Sequence, residues 1–164
     1  MNQPNSASDN KQLVAQWFMA GPSSEAGLAM VTADFKWIAP RSEAELFGSS
    51  DAILHGPEGL RTLPAIDQAV YANAEDAASS TNMHFMIAED DLVVIEFDAA
   101  FTTHTGEPYH NYYCMVIVCS DGKIAEVREH ADTHYFHEVV LGTPEKRSAV
   151  LARVDRLRAA LNAS

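Results

Sequence analysis

The run Leu92-Val93-Val94-Ile95-Glu96-Phe97-Asp98, the turn Thr105-Gly106, the run from Tyr109 to Cys119, the turn Asp121-Gly122 and the run from Lys123 to Thr133 follow one another closely. The runs are rich in β-branched and aromatic residues, and the dipeptides between them are hairpin signals, Asp121-Gly122 a strong one. The stretch predicts an antiparallel meander. Its first long strand extends to Thr103 with an interruption at Ala99-Ala100, and residues 82–88 predict a further strand ahead of it.

Helical patterns flank the meander. Leu13, Val14, Trp17 and Phe18 follow the rhythm of one buried helix face, with Asp9 as the expected N-cap and Gly21-Pro22 as the stop. Ser24 opens a short second helix through Met30, and Phe35-Lys36-Trp37-Ile38 predicts a first strand. Residues 40–59 are irregular, and a connection of that length is often a lid or pocket rim. Pro57-Glu58 starts a third helix through about Ala72, with a late start or kink at Pro64. Thr143 caps a last helix with Pro144 at its first position, lined on one face by Leu151, Val154, Leu157 and Leu161. Helices gathered before and after a block of strands define an α+β class. The expected organisation is a disordered terminus at 1–8, one domain at 9–142 and an amphipathic C-terminal helix at 143–164.

The 164 residues suit one domain with a real core. No apolar run reaches the ~20 residues that span a bilayer. The polar start, Met1 to Asn10, carries no secretory signal, so a cytoplasmic location is expected. A net charge of −12 opposes nucleic acid and anionic membrane as partners. After Thr143 five basic residues face two acidic ones, a net +3 that suits a solvated helix face on an acidic body. Cys114 and Cys119 lie five apart in one expected strand and so point to opposite faces, as reduced thiols.

A tight turn at Thr105-Gly106 would set Glu96 opposite Met115, Asp98 opposite Tyr113 and Ala100 opposite Asn111, all on one polar face. Ile95, Phe97, Tyr112, Cys114 and Val116 would then form the opposite, apolar face. Either the polar face meets solvent, or it lines a pocket closed by helices while the apolar face is buried in a homodimer.

The segments from Ile87 to Asp98, Thr105 to Tyr109, Asp121 to Ile124 and Arg128 to Asp132 resemble the SnoaL-like branch of the nuclear-transport-factor-2-like superfamily, which also holds ketosteroid isomerases, limonene-epoxide hydrolases and scytalone dehydratases. The resemblance spans about residues 9–142. It implies a cone of N-terminal helices on a curved, mostly antiparallel sheet around a small-molecule pocket; a homodimer through the convex sheet face is expected beside it. Glu129, in Arg128-Glu129-His130, matches the catalytic Asp of the cyclases and epoxide hydrolases. Glu96 and Asp98 match an Arg and Asp pair of the epoxide hydrolases, with the Arg lost. The ketosteroid-isomerase base falls on Ala39, and His84 resembles a histidine of the scytalone dehydratases. A strict Asp121-Gly122 hairpin would put Arg128 and His130 on the Tyr113 face; the resemblance puts Glu129 there, which requires a bulge or longer turn.

The resemblance thus implies a cofactor-free isomerase, dehydratase or cyclase acting on an apolar carbonyl or polyketide-like compound, or else a ligand-binding protein without catalysis. Crowded carboxyls from Glu129, Asp98 and Glu96 would supply general acid and base, Tyr113 would hydrogen-bond a developing enolate, and His84 would shuttle a proton. Asn111, Trp17, Trp37, Phe47 and Met115 are the expected pocket wall. His130, His134 and His137 have helix-face spacing, but His130 reads as strand, so no metal site is expected.

Overall fold

The computed structural model describes residues 6–74 and 80–163. The chain runs through α1 (Ala7–Ala20), α2 (Glu25–Ala29), β1 (Val31–Ile38), a 3-10 turn (Arg41–Glu43), α3 (Ala44–Phe47), β2 (Ile53–His55), α4 (Gly56–Leu60) and α5 (Leu63–Val70). It continues through β3 (Thr81–Glu89), β4 (Leu92–Thr102), β5 (Pro108–Ser120), β6 (Lys123–Ala131), α6 (Thr133–Phe136), a π-helical turn (His137–Leu141) and α7 (Pro144–Ala163). The six strands form one curved sheet in the order β2-β1-β6-β5-β4-β3, antiparallel except where β1 runs parallel to β6. The α+β expectation holds.

Local chemistry sets the helix boundaries. α1 is capped by Ser6, not Asp9. The Ser6 hydroxyl accepts from the Asp9 N–H at 3.2 Å, and the Asp9 carboxylate accepts from the Ser6 N–H at 3.0 Å. This reciprocal box satisfies two end donors at once. Helix therefore begins inside the 1–8 segment expected to fray; residues 1–5 lie outside the described residues. Ser24 caps α2 as expected, accepting from the Gly27 N–H at 3.0 Å. The expected third helix is two, because Pro64 in the first turn of α5 cannot continue α4. α7 packs on α5 of its own chain, burying Val150 and Val154 and leaving Leu161 exposed.

Two turns decide which side chains face inward. Between β4 and β5 the loop has three residues, His104-Thr105-Gly106. The Thr103 N–H donates to the Glu107 carbonyl and the Gly106 N–H to the Thr103 carbonyl, both at 2.9 Å. Gly106 takes the left-handed conformation, φ +83°, that closes such loops. One extra loop residue slips the pairing by one. Phe97, not Asp98, lies opposite Tyr113, and Asp98 lies opposite Tyr112. The expected split of the sheet is thus corrected: Ile95, Phe97, Tyr113 and Met115 share the inner face, while Glu96, Asp98, Tyr112, Cys114 and Val116 share the outer one.

Between β5 and β6, Asp121 and Gly122 both have positive φ, the two-residue turn expected. A bulge follows, between Val118↔Glu126 and Cys119↔Ile124. Beyond it Met115 lies opposite Glu129 and Cys114 opposite His130, so Glu129 turns inward. Cys114 and Cys119 are both free thiols.

The core behind the inner face is centred on Trp17, fully buried against Phe18, Phe35 and Trp37 with ring centroids 5.1–6.4 Å apart. Val14, Ile117, Ile124 and Val127 are also fully buried. Burying each side chain of this kind contributes about 1.5–3 kcal/mol. Among the described residues no helix is long and apolar enough to cross a membrane.

Candidate active site

Helices and sheet line a half-open cavity of about 1110 Å³. Its walls are apolar and aromatic: Phe18, Trp37, Phe47, Phe97, Met115 and Phe136 are among them. Three carboxyls enter it from separate elements. Glu129 comes from β6, Glu43 from the 3-10 turn and Asp67 from α5.

Glu129 is reached by Trp37, whose Nε1–H donates to Oε2 at 2.9 Å. Trp37 pairs with Val127 on the neighbouring parallel strand, so indole and carboxyl are diagonal neighbours on one face. Burial pushes the Glu129 carboxyl up to about 7; the indole bond opposes this and the charge of Asp67 adds to it. Glu43 is only 8% exposed, and its carboxyl is pushed up to about 8, by burial first and then by Glu129. Asp67 lines the cavity with its side chain exposed, and the protein packed around that position pushes its carboxyl up to about 7 by desolvation. Like charges close together in an apolar-walled site resist ionising together. Near neutral pH the cluster holds carboxylic acid beside carboxylate.

A phenol network forms another part of the wall. The Tyr109 and Tyr113 hydroxyls are 2.9 Å apart, and Asn111 Nδ2 donates to the Tyr109 oxygen at 2.7 Å and to the Asp132 carbonyl at 3.1 Å. Tyr71, also lining the cavity, interacts with both phenols. Burial holds all three tyrosines above the usual phenol range, so they remain protonated donors. Tyr113 is fixed by stacking on Phe97, centroids 5.1 Å apart and planes 10° from parallel.

Of the residues expected in the site, Glu129, Tyr113, Trp37, Phe47 and Met115 line the cavity. Asn111 is buried at 2% exposure and acts on the cavity through Tyr109. Trp17 lies behind the wall in the core. Glu96 and Asp98 do not join Glu129, because the one-residue slip between β4 and β5 carries them to the other side of the sheet, and His84, at a bulge of β3 between Met83 and Phe85, lies there with them. There His84 Nε2 meets Asp98 Oδ1 at 2.5 Å, His84 Nδ1 meets Glu96 at 3.2 Å, and His110 Nε2 meets Asp98 Oδ2 at 2.8 Å. These imidazoles hold Asp98 down at about 2, and the carboxylates raise His84. Phe97 and Tyr112, expected together on a dimer face, lie on opposite faces. Asp132 caps α6, accepting from the Tyr135 N–H at 3.0 Å. Among the described residues no group of three His, Cys, Asp or Glu is placed to hold a metal.

Glu43 and Asp67 were missed. Asp67 had a signal: it sits on α5 with Leu63 and Pro64 a turn before it and Val70 and Tyr71 a turn after, an acid inside an apolar stripe. Glu43 had none beyond lying in the long irregular connection.

Comparison with known proteins agrees with this architecture. The SnoaL-like domain model matches residues 12–127, and the chain belongs to that family. A crystal structure assigned as a SnoaL-like polyketide cyclase, from Jannaschia sp. CCS1, superposes with a TM-score of 0.67 at 13% identity, covering 88% of this chain and 99% of its own. TerC, co-crystallised with polyporic acid, gives 0.66 at 18% identity, covering 80% and 97%. An NTF2-like protein from Burkholderia xenovorans LB400 gives 0.59 at 20% identity, covering 81% and 96%. No curated protein matches the sequence. The fold is the NTF2-like cone, with its helices and curved sheet around the cavity.

Proposed function

We propose that the cavity is the active site of an isomerase, dehydratase or cyclase that moves protons on an apolar carbonyl or polyketide-like compound. The observation that carries this is the meeting of three carboxyls and a phenol network within apolar walls. Glu129, its carboxylate held by the Trp37 N–H, takes a proton from the carbon next to the carbonyl. The electron pair moves onto the carbonyl oxygen, which the Tyr113 hydroxyl meets as a hydrogen-bond donor. Glu43, the more reluctant of the pair to ionise, returns a proton elsewhere on the enolate as its carboxylic acid. None of these steps requires a metal or an organic cofactor. The relatives' names support the same reading, one being assigned as a polyketide cyclase and another having been crystallised with polyporic acid.

The test is enolisation of a neutral ketone. With 2-tetralone in D₂O, the protein should accelerate exchange of the α-protons, followed by NMR. Glu129→Gln should reduce that acceleration by about 100-fold or more, the usual loss of a general base. Asp98→Asn, on the outer face, should leave it unchanged. A ketone that binds without exchange would instead mark a ligand-binding protein without catalysis.

We also propose that a second copy covers the outer sheet face, where Phe85, Ile87, Leu92 and Tyr112 stand exposed among acids and imidazoles. Light scattering of the intact chain should give twice the 17.9 kDa chain mass, and Phe85→Ser with Ile87→Ser should return it to that mass.

A further inference from the structure

The proton-transfer scheme uses one base, Glu129, and one acid, Glu43. Asp67 is left over. It is an acid in an apolar cavity, on a helix whose neighbouring side chains Leu63, Ile66 and Val70 also line that cavity. No lysine or arginine is among the described residues that line it. His104 is the one imidazole there, and its Nε2 is engaged by the Gln68 carbonyl at 2.8 Å, so it donates to a neutral acceptor instead of balancing the acids.

A second observation points the same way. Glu43, more than nine-tenths buried and lining the same cavity, donates its backbone N–H to the Pro40 carbonyl at 2.9 Å, but its carboxyl makes no hydrogen bond to any described residue. Trp37 satisfies only Oε2 of Glu129. Carboxyl oxygens that face an apolar-walled cavity without a hydrogen-bond partner are costly to hold there, more so when charged. A pocket that collects such groups and supplies no cation of its own is complementary to a ligand that brings one. Trp37, Phe18 and Phe47 line the same walls, and aromatic rings attract a cation as well.

We propose that the ligand carries a protonated nitrogen on its apolar frame, and that Asp67 is the residue that selects it. The proposal rests on reading the cavity as the substrate site and specifies the substrate's charge. The carbonyl end would lie toward Tyr113 and the ammonium toward Asp67. An anionic compound would meet three acids and, among the described residues, no basic partner besides His104, so the same electrostatics disfavour carboxylated substrates. Cation binding favours the ionised carboxyls, so affinity should rise with pH. The groups that titrate around it are Asp67 on α5, Glu43 on the 3-10 turn, Glu129 on β6, Tyr109 and Tyr113 on β5, Tyr71 after α5 and His104 at the β4–β5 loop.

The test uses one ring system with three charges: 9-(aminomethyl)anthracene, 9-anthracenemethanol and 9-anthracenecarboxylate, titrated into the intact protein by fluorescence. At pH 8.5 the amine should bind about tenfold tighter than the alcohol, the scale of one unscreened charge contact in a partly dry site, and the carboxylate weakest. The amine's advantage should shrink to about twofold at pH 5.5, where the acids are protonated. Asp67→Asn should remove most of the advantage at pH 8.5 while leaving alcohol affinity in place, which also shows that the variant is folded. Asp98→Asn should keep it. Equal binding of amine and alcohol, or a preference for the carboxylate, overturns the charge assignment and leaves the neutral-ketone exchange test of the site standing. Failure of all three compounds to bind, together with no tetralone exchange, overturns both readings.

Discussion

The indole nitrogen of Trp37 donates to the Glu129 carboxylate at 2.9 Å across the one parallel strand pair of the sheet. This bond favours the ionised carboxyl in a cavity that otherwise favours the neutral one. It sets Glu129 apart from Glu43, which has no such donor, and so divides base from acid between two chemically identical side chains.

Trp37→Phe should therefore raise the Glu129 carboxyl further. The pH–rate profile for tetralone exchange should move alkaline by about one unit, as expected for loss of a hydrogen bond to a charged group worth about 1.5–3 kcal/mol. Rate recovered at high pH would separate this from simple misfolding. An unchanged profile would show that the indole has no electrostatic role.

Stability should fall as pH rises from about 5 to 9. The folded-state carboxyls of Glu43 and Glu129 lie above their unfolded values, so the folded chain holds more protons through that window; Asp67, whose side chain is exposed and screened, adds less. Each such proton weakens folding by up to about 1.4 kcal/mol per pH unit, beginning above the unfolded carboxylate range and ending once the folded group has ionised. Urea midpoints measured across the range should show the slope. Glu43→Gln, which cannot ionise, should flatten it and be the more stable protein at pH 9.

The loop that sets the register can be tested by itself. A side chain at Gly106 meets no atom within 4 Å, so only its left-handed backbone opposes substitution. Gly106→Ala should cost about 1 kcal/mol, read from the urea midpoint, with tetralone exchange retained.

On the outer face, Asp98→Asn should lower the titration midpoint of His84 toward the ordinary imidazole range, seen in ¹H–¹⁵N spectra of the imidazoles. Asp98 is the leading cause of the raised His84 value.

The architecture was legible because it depends on coarse signals: turn dipeptides, β-branched runs, and a proline inside a helix pattern. Glu129 was legible only through its family position, since the bulge that turns it inward leaves no mark in Lys123-Ile124-Ala125-Glu126. Asp98 and Glu96 were misplaced for a related reason. Thr105-Gly106 reads equally as a two-residue turn or as the end of a three-residue loop, and alternation amplifies that single residue into an exchange of faces. The side chains of Thr103, Thr105 and Glu107 bond one another to hold the longer loop, a contact visible only once the strands are paired. Glu43 and Asp67 reach the cavity through tertiary packing of short elements, where periodicity has too few residues to speak.

The most direct measurement is a carboxyl ¹³C titration of the intact protein, with Glu129→Gln, Glu43→Gln and Asp67→Asn used to assign the signals. Three carboxyls should titrate between about pH 6.5 and 8.5, and removing Glu129 should shift the Glu43 signal downward because the two repel. If all three titrate below about 5, as solvated carboxyls do, the cavity holds no neutral acid beside a base at physiological pH and the account of its chemistry is wrong.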